Sequence, residues 1–487
     1  MEGLMHVVFA ASEAAPWSKT GGLGDVAGAL PRFLASRHLN ITLMIPDYAP
    51  PAGKRPPEAA LSTRAHVRIG GIAYPVTFHA MRFSTHFQVV WVGQELMFNR
   101  PYLYGDGALP YPDNLYRFLL FQGAIKAWIA SRRRRIDLVH VNDWQTALLP
   151  LMLRRDPPAQ GRPATLLTIH NLNYQGVFSG HFFSLLDLPA DYFTPDTLEF
   201  FSNINCLKAG IIYADALTTV SPTYAREILQ PEYGAGLEGV LRRYQHKLSG
   251  ILNGADYAVW DPREDIHIRP NFGARDVNQG KRDNRAALMR ELNLDWPPEI
   301  PLAVAITRLA HQKGADLLAR VLPRLVPGSM RAIILGTGEP GLETTLKRLA
   351  ADHAGICFIP RFSEPLAHRM QAAADLFLMP SRFEPCGLAQ IYALRYGTLP
   401  VVRRTGGLAD TVVDADRDPA GTGFCFSRPL ASELLRALKR ALRAVSDPSR
   451  LAQLRANAMK RDFSWHTAAS RYAHVYDQIL ANGDQNE

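Results

Sequence analysis

Thr20-Gly21-Gly22-Leu23-Gly24-Asp25 near the start of the chain and Thr405-Gly406-Gly407-Leu408-Ala409-Asp410 near its end are the same phrase, used twice. Each follows a strand-like apolar run, Val7 to Ala10 and Leu399 to Val402, and each leads into helical spacing. A Gly-Gly turn at a helix N-terminus presents bare backbone N–H groups and lets a ligand approach the main chain. Two such turns, one in each half, predict two α/β domains facing one cleft. Lys19 precedes the first copy. A cation there opposes the helix dipole unless a bound anion offsets it.

Working outward, 487 residues exceed what one core accommodates, so two or three domains are expected. Hydrophobic residues at 47% and charged residues at 20% are ordinary for a globular enzyme. The net charge of +9 suits an anionic ligand or a nucleic acid. The densest basic run, Arg132 to Arg135, reads as a solvated helix end ahead of a strand. No aromatic-interleaved basic stripe points to nucleic acid. Cys206, Cys357, Cys386 and Cys425 are scattered without a C-x-x-C pair, so neither a zinc site nor a disulfide framework is indicated, and a reducing cytoplasm is the expected location. No signal segment is recognised before His6, and no stretch approaches a membrane span.

Short β-branched or apolar runs alternate with helical patterns. Strands are predicted at 6–10, 41–45, 88–92, 136–141, 164–169, 216–220 and 249–252, then at 301–307, 331–335, 356–359, 375–379 and 399–402. Continuous apolar strands separated by amphipathic helices are the pattern of parallel sheets covered on both faces. Helices are predicted at 314–326, at 387–396 closed by Gly397, and at 465–480 behind Ser464 as N-cap, while Pro31 is expected to kink or interrupt the first helix. The polar stretch from Asn253 to about Arg285 reads as the joint, and the Pro-rich segment 50–60 as a loop.

Candidate chemistry gathers where strands end. Arg308 closes one strand and Lys313 precedes a helix, two cations at a helix start that a bound diphosphate would neutralise, or else simply solvent-facing charges in a loop. Glu384 stands at the head of the 387–396 helix, with Pro385 suited to its first turn; a carboxylate facing the positive end of the dipole is an acceptor for sugar hydroxyls, or simply a stabilising first-turn acid. Cys386 reads either as an active-site thiol or as a buried, inert one. Asp143 and His170-Asn171 end strands, where ligands bind in open α/β sheets. Asp143 alternatively N-caps the helix Trp144 to Arg154, His170 alternatively is a satisfied core histidine, and Asn253-Gly254 is by default a turn.

Lys19 to Val26, Asp143-Trp144, His170 to Gly176, Leu252 to Asp256, Arg308 to Gly314, Ser381 to Gly387 and Arg404 to Thr411 together resemble the bacterial glycogen synthases and plant starch synthases, in that family's order from the first strand to the last helix. The resemblance implies a GT-B architecture: two Rossmann-like domains, 1–253 on the acceptor side and 254–457 on the donor side, around a deep cleft that closes on its substrates. It also implies a terminal segment, 458–487, whose helix returns to the first domain. The implied reaction is retaining transfer of glucose from ADP-glucose to the non-reducing 4-hydroxyl of an α-1,4-glucan, with no metal and no other cofactor. Nucleic acid and membrane are not expected partners.

By that resemblance Arg308 and Lys313 hold the leaving diphosphate, the Thr405-Gly406-Gly407 turn adds N–H donors to it, and Glu384 binds the transferred glucose. His170 lies against that glucose, Asp143 and Asn253 line the cleft, and Lys19 and Gly22 approach the diphosphate from the first domain. Cys386 and Gly387 fall on the donor side, with Tyr392 near the nucleotide ribose; Tyr104 and Asn114, from the loop 98–116, are the acceptor contacts expected. The chain departs from the family pattern at three places. Tyr392 replaces a second glutamate, Phe362 a frequent tyrosine and Gln145 a frequent histidine. The rivals are a glucan phosphorylase, for which no pyridoxal-lysine motif is seen, a non-catalytic glucan-binding protein, and a transferase using UDP-glucose or a sucrose or lipid acceptor.

Overall fold

The computed structural model describes residues 4–106, 109–326 and 328–483. The chain divides into two compact units: Met1–Val220, Ala225–Gly254 and Trp465–Glu487 form one, and Ser221–Tyr224 with Ala255–Ser464 the other.

The first unit carries β1 (His6–Ala10), β2 (Asn40–Pro46), β3 (Ala60–Ile69), β4 (Ile72–Ser84), β5 (Phe87–Gly93), β6 (Leu138–Asn142), β7 (Ala164–Ile169), β8 (Val177–Ser179), β9 (Glu199–Phe200), β10 (Asn203–Asn205), β11 (Ala216–Thr219) and β12 (Leu248–Gly250). Nine of them make one sheet in the order β12-β11-β7-β6-β1-β2-β5-β4-β3. From β12 to β5 all neighbours are parallel, and β4 and β3 continue it as an antiparallel hairpin. That hairpin escapes sequence reading because β3 is largely exposed and Pro75 interrupts β4, a residue that argues against a strand except near an edge.

The core of this unit joins Val7 and Phe9 of β1 to Val26, Leu30 and Leu34 of the helix Gly22–Ala35, and to Trp465, Ala469, Tyr472 and Tyr476 of the helix Trp465–Gly483. Pro31 does not interrupt the first helix, which runs on to Ala35 with the proline buried. Only one backbone hydrogen bond is forfeited there, and packing on the last helix offsets it. The last helix is also locked by polar contacts. Tyr476 Oη lies 2.7 Å from His140 Nδ1, and His140 Nε2 lies 2.6 Å from Thr168 Oγ1. Burial holds the His140 imidazole well below its ordinary value, so the ring is neutral. Tyr476→Phe leaves a buried ring nitrogen without its partner and is expected to destabilise the fold by about 1–3 kcal/mol, read from urea denaturation.

The second unit has β13 (Leu302–Ile306), β14 (Arg331–Leu335), β15 (Ile356–Ile359), β16 (Leu376–Met379), β17 (Leu399–Arg403) and β18 (Phe424–Phe426), all parallel, in the order β15-β14-β13-β16-β17-β18. This is the 3-2-1-4-5-6 order of a Rossmann sheet, with the switch point between β13 and β16. The seven parallel strands of the first unit follow the same progression, with the switch point between β1 and β6.

Three predicted elements change. The helix 314–326 is shorter: it spans Ala315–Val321 and passes into a 3-10 turn, Leu322–Arg324, where Pro323 cannot continue the α ladder. The helix after Glu384 begins only at Ala389 and ends at Arg395, closed by Gly397 at φ +65°. Within the stretch read as a joint, Val277–Glu291 is a helix. Its periodicity is masked because its buried face is partly polar, with the Lys281 ammonium donating to Gln371 O, Tyr396 O and Thr398 Oγ1. The helix Pro448–Lys460 stays with the second unit, through Arg455 to Asp375, so the chain returns to the first unit at Trp465.

Candidate active site

In the first unit, functional side chains cluster at the C-terminal ends of β1, β6 and β7. Asp143, one residue past β6, has φ +55° and ψ −175°, a conformation that costs a non-glycine residue of order 1–3 kcal/mol. Its carboxylate does not cap the next helix. Instead Oδ1 accepts the His170 N–H at 2.7 Å. Burial pushes the Asp143 carboxyl up to about 7, against the backbone N–H bonds from His170 and Asn171. His170 Nε2 lies 2.9 Å from Asn142 Oδ1, while Asn142 Nδ2 donates to Ala10 O. That orientation makes Nε2 the protonated nitrogen and leaves Nδ1 as an acceptor. Burial lowers His170 to about 3, so the ring is a neutral hydrogen-bonding group at physiological pH.

Tyr104 and Asn114 are brought together, but they are not equivalent. Asn114 is 3% exposed, donates to Tyr104 O and accepts from Arg117, so it shapes the loop and offers nothing to a glucan. Tyr104 Oη is 2.7 Å from Ser12 Oγ, and burial raises its phenol well above 10. Asn253 is 6% exposed and its buried Oδ1 has no hydrogen-bond partner in this arrangement. Gly254 is more than a turn: a Cβ there would meet Trp465 Cα at 2.6 Å. Lys19 is exposed and sits 2.6 Å from Asp25. Gly22 is exposed, and nothing lies within 4 Å of where its Cβ would be.

In the second unit the loops after β13, β14, β16 and β17 interlock. Lys313 Nζ pairs with Glu384 Oε2 at 2.6 Å, and the same oxygen accepts from Ser381 Oγ at 3.0 Å. Lys313 ends a 3-10 turn ahead of Gly314, whose φ of +71° and close approach to Pro380 O bring it to Glu384. The cation that looked misplaced at a helix start is therefore met by a carboxylate of the protein. Glu384 is 5% exposed and lies five residues before its helix, so its partner is Lys313 rather than a helix dipole. Arg308 is exposed and forms no ion pair among the described residues. Its loop is held by Gly336 and Gly338: a Cβ on either would meet Thr307 O at 1.8 Å or Leu309 O at 2.1 Å. The Gly336-Thr337-Gly338 segment directly after a strand was the signal sequence reading overlooked.

The second Gly-Gly turn differs from its expected use. Thr405, Gly406 and Gly407 are buried, and the Gly407 N–H is already shared between Glu384 O and Pro385 O, each at 3.1 Å. It cannot donate to a phosphate in this arrangement. Gly406, at φ +44°, and Gly407 pack so closely on the 384–386 backbone that a Cβ would lie 2.0 Å from Glu384 O or 2.1 Å from Cys386 O. The turn therefore positions Glu384. Cys386 is 4% exposed and Gly387, at φ +71°, completes the same loop. Tyr392 is stacked on Trp260 with centroids 4.1 Å apart, and Trp260 on His368 at 3.6 Å. Phe362 is 69% exposed, and the Gln145 Oε1 is buried without a partner.

Residues 6–243 match the model of the starch synthase catalytic domain, and residues 293–461 that of glycosyl transferases group 1. A glycogen synthase of Anaeromyxobacter sp. (strain Fw109-5) is 46% identical over 482 residues, covering 98% of this chain and all of that protein. The chain belongs to the glycogen and starch synthase family. Glycogen synthase 2 of Nitrosococcus oceani is 43% identical, with 98% of both chains covered. Among solved structures, the catalytic domain of starch synthase IV from Arabidopsis thaliana, bound to ADP and acarbose, matches with a TM-score of 0.89 at 30% identity, covering 98% of this chain and 100% of that one. Sucrose-phosphate synthase from Thermosynechococcus elongatus, 18% identical with a TM-score of 0.64, shares the fold alone. Membership makes the chain a glycosyltransferase of the GT-B class, with two Rossmann-like units. Among the described residues no helix is long and apolar enough to cross a membrane.

Proposed function

We propose that this chain elongates an α-1,4-glucan, transferring glucose from ADP-glucose to the non-reducing 4-hydroxyl with retention of configuration. The C1–O bond to the diphosphate breaks, the C1–O4 bond forms, and ADP leaves. The observation that carries the reading is the Lys313–Glu384 pair beside an unpaired Arg308, at the switch point of the second unit, in a chain 46% identical to a glycogen synthase. Arg308 supplies a fork of donors to the departing diphosphate and Lys313 a point charge. Glu384, aimed by Lys313 and Ser381, accepts from hydroxyls of the transferred glucose. On the first unit Lys19 and the Gly22 N–H serve donor phosphates, and Asp143 and neutral His170 serve sugar hydroxyls. Adenine rather than uracil is favoured by the starch synthase IV match, whose structure holds ADP.

We also propose that no metal is required, the diphosphate charge being met by arginine and lysine. The four free cysteines and the bacterial relatives support a cytoplasmic location. ADP or UDP release, measured in parallel with ADP-glucose and UDP-glucose, with and without glycogen and with chelator present, tests these readings. Glycogen-dependent turnover with ADP-glucose in chelator is expected. Preference for UDP-glucose would overturn the donor, and loss of turnover in chelator the metal-free chemistry.

Gly22 gives a sharper check. The protein has room for a methyl group there, so Gly22→Ala should leave the thermal midpoint unchanged. A ligand lying against the main chain would not have that room, and KM for ADP-glucose should rise about tenfold. An unchanged KM would remove Gly22 from the donor site.

A further inference from the structure

The loop after β1 holds a buried carboxylate that the transfer chemistry does not use. Glu13 is 3% exposed. Its Oε2 accepts from Thr20 N–H at 2.6 Å and from Thr20 Oγ–H at 2.7 Å, while Oε1 accepts from Gly24 N–H at 3.2 Å. One side chain thus ties both ends of the segment Thr20–Gly24. Gly24 is in turn bound to Ala15, whose N–H donates to Gly24 O at 2.9 Å. The Lys19 stem lies over Gly24 so closely that a Cβ there would meet Lys19 Cγ at 2.9 Å. Displacing either end of the segment therefore displaces Lys19.

The placement is costly. No lysine or arginine pairs with Glu13 among the described residues, and the groups facing it are the carboxylates of Asp25 and Asp143 and the phenols of Tyr48 and Tyr104. Burial pushes Glu13 up to about 7 despite its three donors. A carboxylate presents two acceptor oxygens, one to each end of the segment, and the cost of burying it at the switch point between β1 and β6 goes with that geometry. An amide has one acceptor oxygen; its NH₂ would face either the Thr20 donors or the Gly24 N–H.

We propose that Glu13 is a positioning residue for the sugar-nucleotide donor: its carboxylate fixes the Thr20–Gly24 segment and so aims the Lys19 ammonium and the Gly22 N–H at the donor phosphates. This rests on the donor reading of Lys19 given above. Glu13 touches neither substrate.

Glu13→Gln, Lys19→Ala and their double variant test it, with ADP-glucose and glycogen as substrates. Glu13→Gln should raise KM for ADP-glucose about tenfold with a smaller change in kcat, and amide exchange across 18–26 should quicken while β6 and β7 stay protected. The double variant should be no worse than Lys19→Ala. Thr20→Val should shift KM in the same direction by less. As pH falls below about 7, KM should rise more steeply in the wild type, where Glu13 and Asp143 both take up protons, than in Glu13→Gln, where only Asp143 does. Multiplying losses in the double variant would show that Glu13 acts independently of Lys19 and would overturn the proposal. So would an unchanged KM, or exchange that quickens throughout the first unit. A wild-type chain inactive with ADP-glucose would instead overturn the functional reading and the donor part of this one, and the 18–26 exchange in Glu13→Gln would still decide whether Glu13 anchors the loop.

Discussion

Glu384→Gln is expected to lower kcat/KM by about 10³-fold with little change in the thermal midpoint, whereas Glu384→Ala is expected to lose activity and stability together. The carboxylate is 6% exposed at its side chain, and Lys313, its partner at 2.6 Å, is 19% exposed. Glutamine keeps an acceptor for Lys313 and Ser381, so the loop keeps its shape while the charge is gone. Alanine removes the acceptor as well as the charge, leaving an enclosed ammonium with no partner at all, and breaking such a pair from one side costs about 3–5 kcal/mol. Arg308→Ala is the complementary probe. That side chain is exposed and unpaired, so its loss should not touch stability, while an unmet charge on the leaving diphosphate costs about 10²–10³-fold in kcat. Initial rates with ADP-glucose and glycogen, alongside thermal melts, separate the three variants. Activity within tenfold of wild type in Glu384→Gln would remove Glu384 from the chemistry.

Asp143→Asn should separate function from stability through pH. In the folded chain burial puts the Asp143 carboxyl at about 7, above its ordinary range near 4. The native state therefore holds a proton that the unfolded chain has released. The resulting stability is fully present below about pH 4 and is lost as pH rises, until it is gone above about 7. Asparagine does not titrate, bears the same backbone strain as aspartate at φ +55° and ψ −175°, and can still accept the His170 N–H. Relative to wild type the variant should gain about 1.4 kcal/mol per pH unit from pH 5 to pH 7, then level off. Its activity should fall about 10²-fold above about pH 7, where the wild-type group is ionised, and by progressively less below it, because the carboxylate acceptor beside His170 is then already protonated. Urea denaturation at several pH values measures the first part. A stability difference independent of pH would show that Asp143 is ionised throughout that range.

Much of the fold could be read directly. β1, β2, β5, β6 and β7 and every strand of the second unit except β18 are mostly apolar runs without strict alternation, because a parallel strand covered on both faces has little surface left to be polar. The β3–β4 hairpin lies at the sheet edge, where exposure and Pro75 erase that signature. Glu384 and Lys313 were both recognisable as strand-end residues, but their mutual contact was not. Local sequence points Glu384 to a helix dipole and Lys313 to a ligand, whereas each is the other's partner, 71 residues away in sequence.

The repeated phrase shows where sequence stops. By itself the sequence determined that each half carries a strand, a Gly-Gly turn and a helix, since those depend on local apolar runs and on glycine's conformational freedom. Tertiary structure decided what each turn does. Around Gly22 there is open space, so no contact within the chain requires a glycine there. Around Gly406 and Gly407 the 384–386 backbone fills that space and takes the Gly407 N–H. Asp25 meets Lys19, while Asp410 binds Thr223. Identical local chemistry has different consequences because a hydrogen bond or a steric contact belongs to whichever atoms are brought within about 3 Å, and that distance is set by segments far away in the chain.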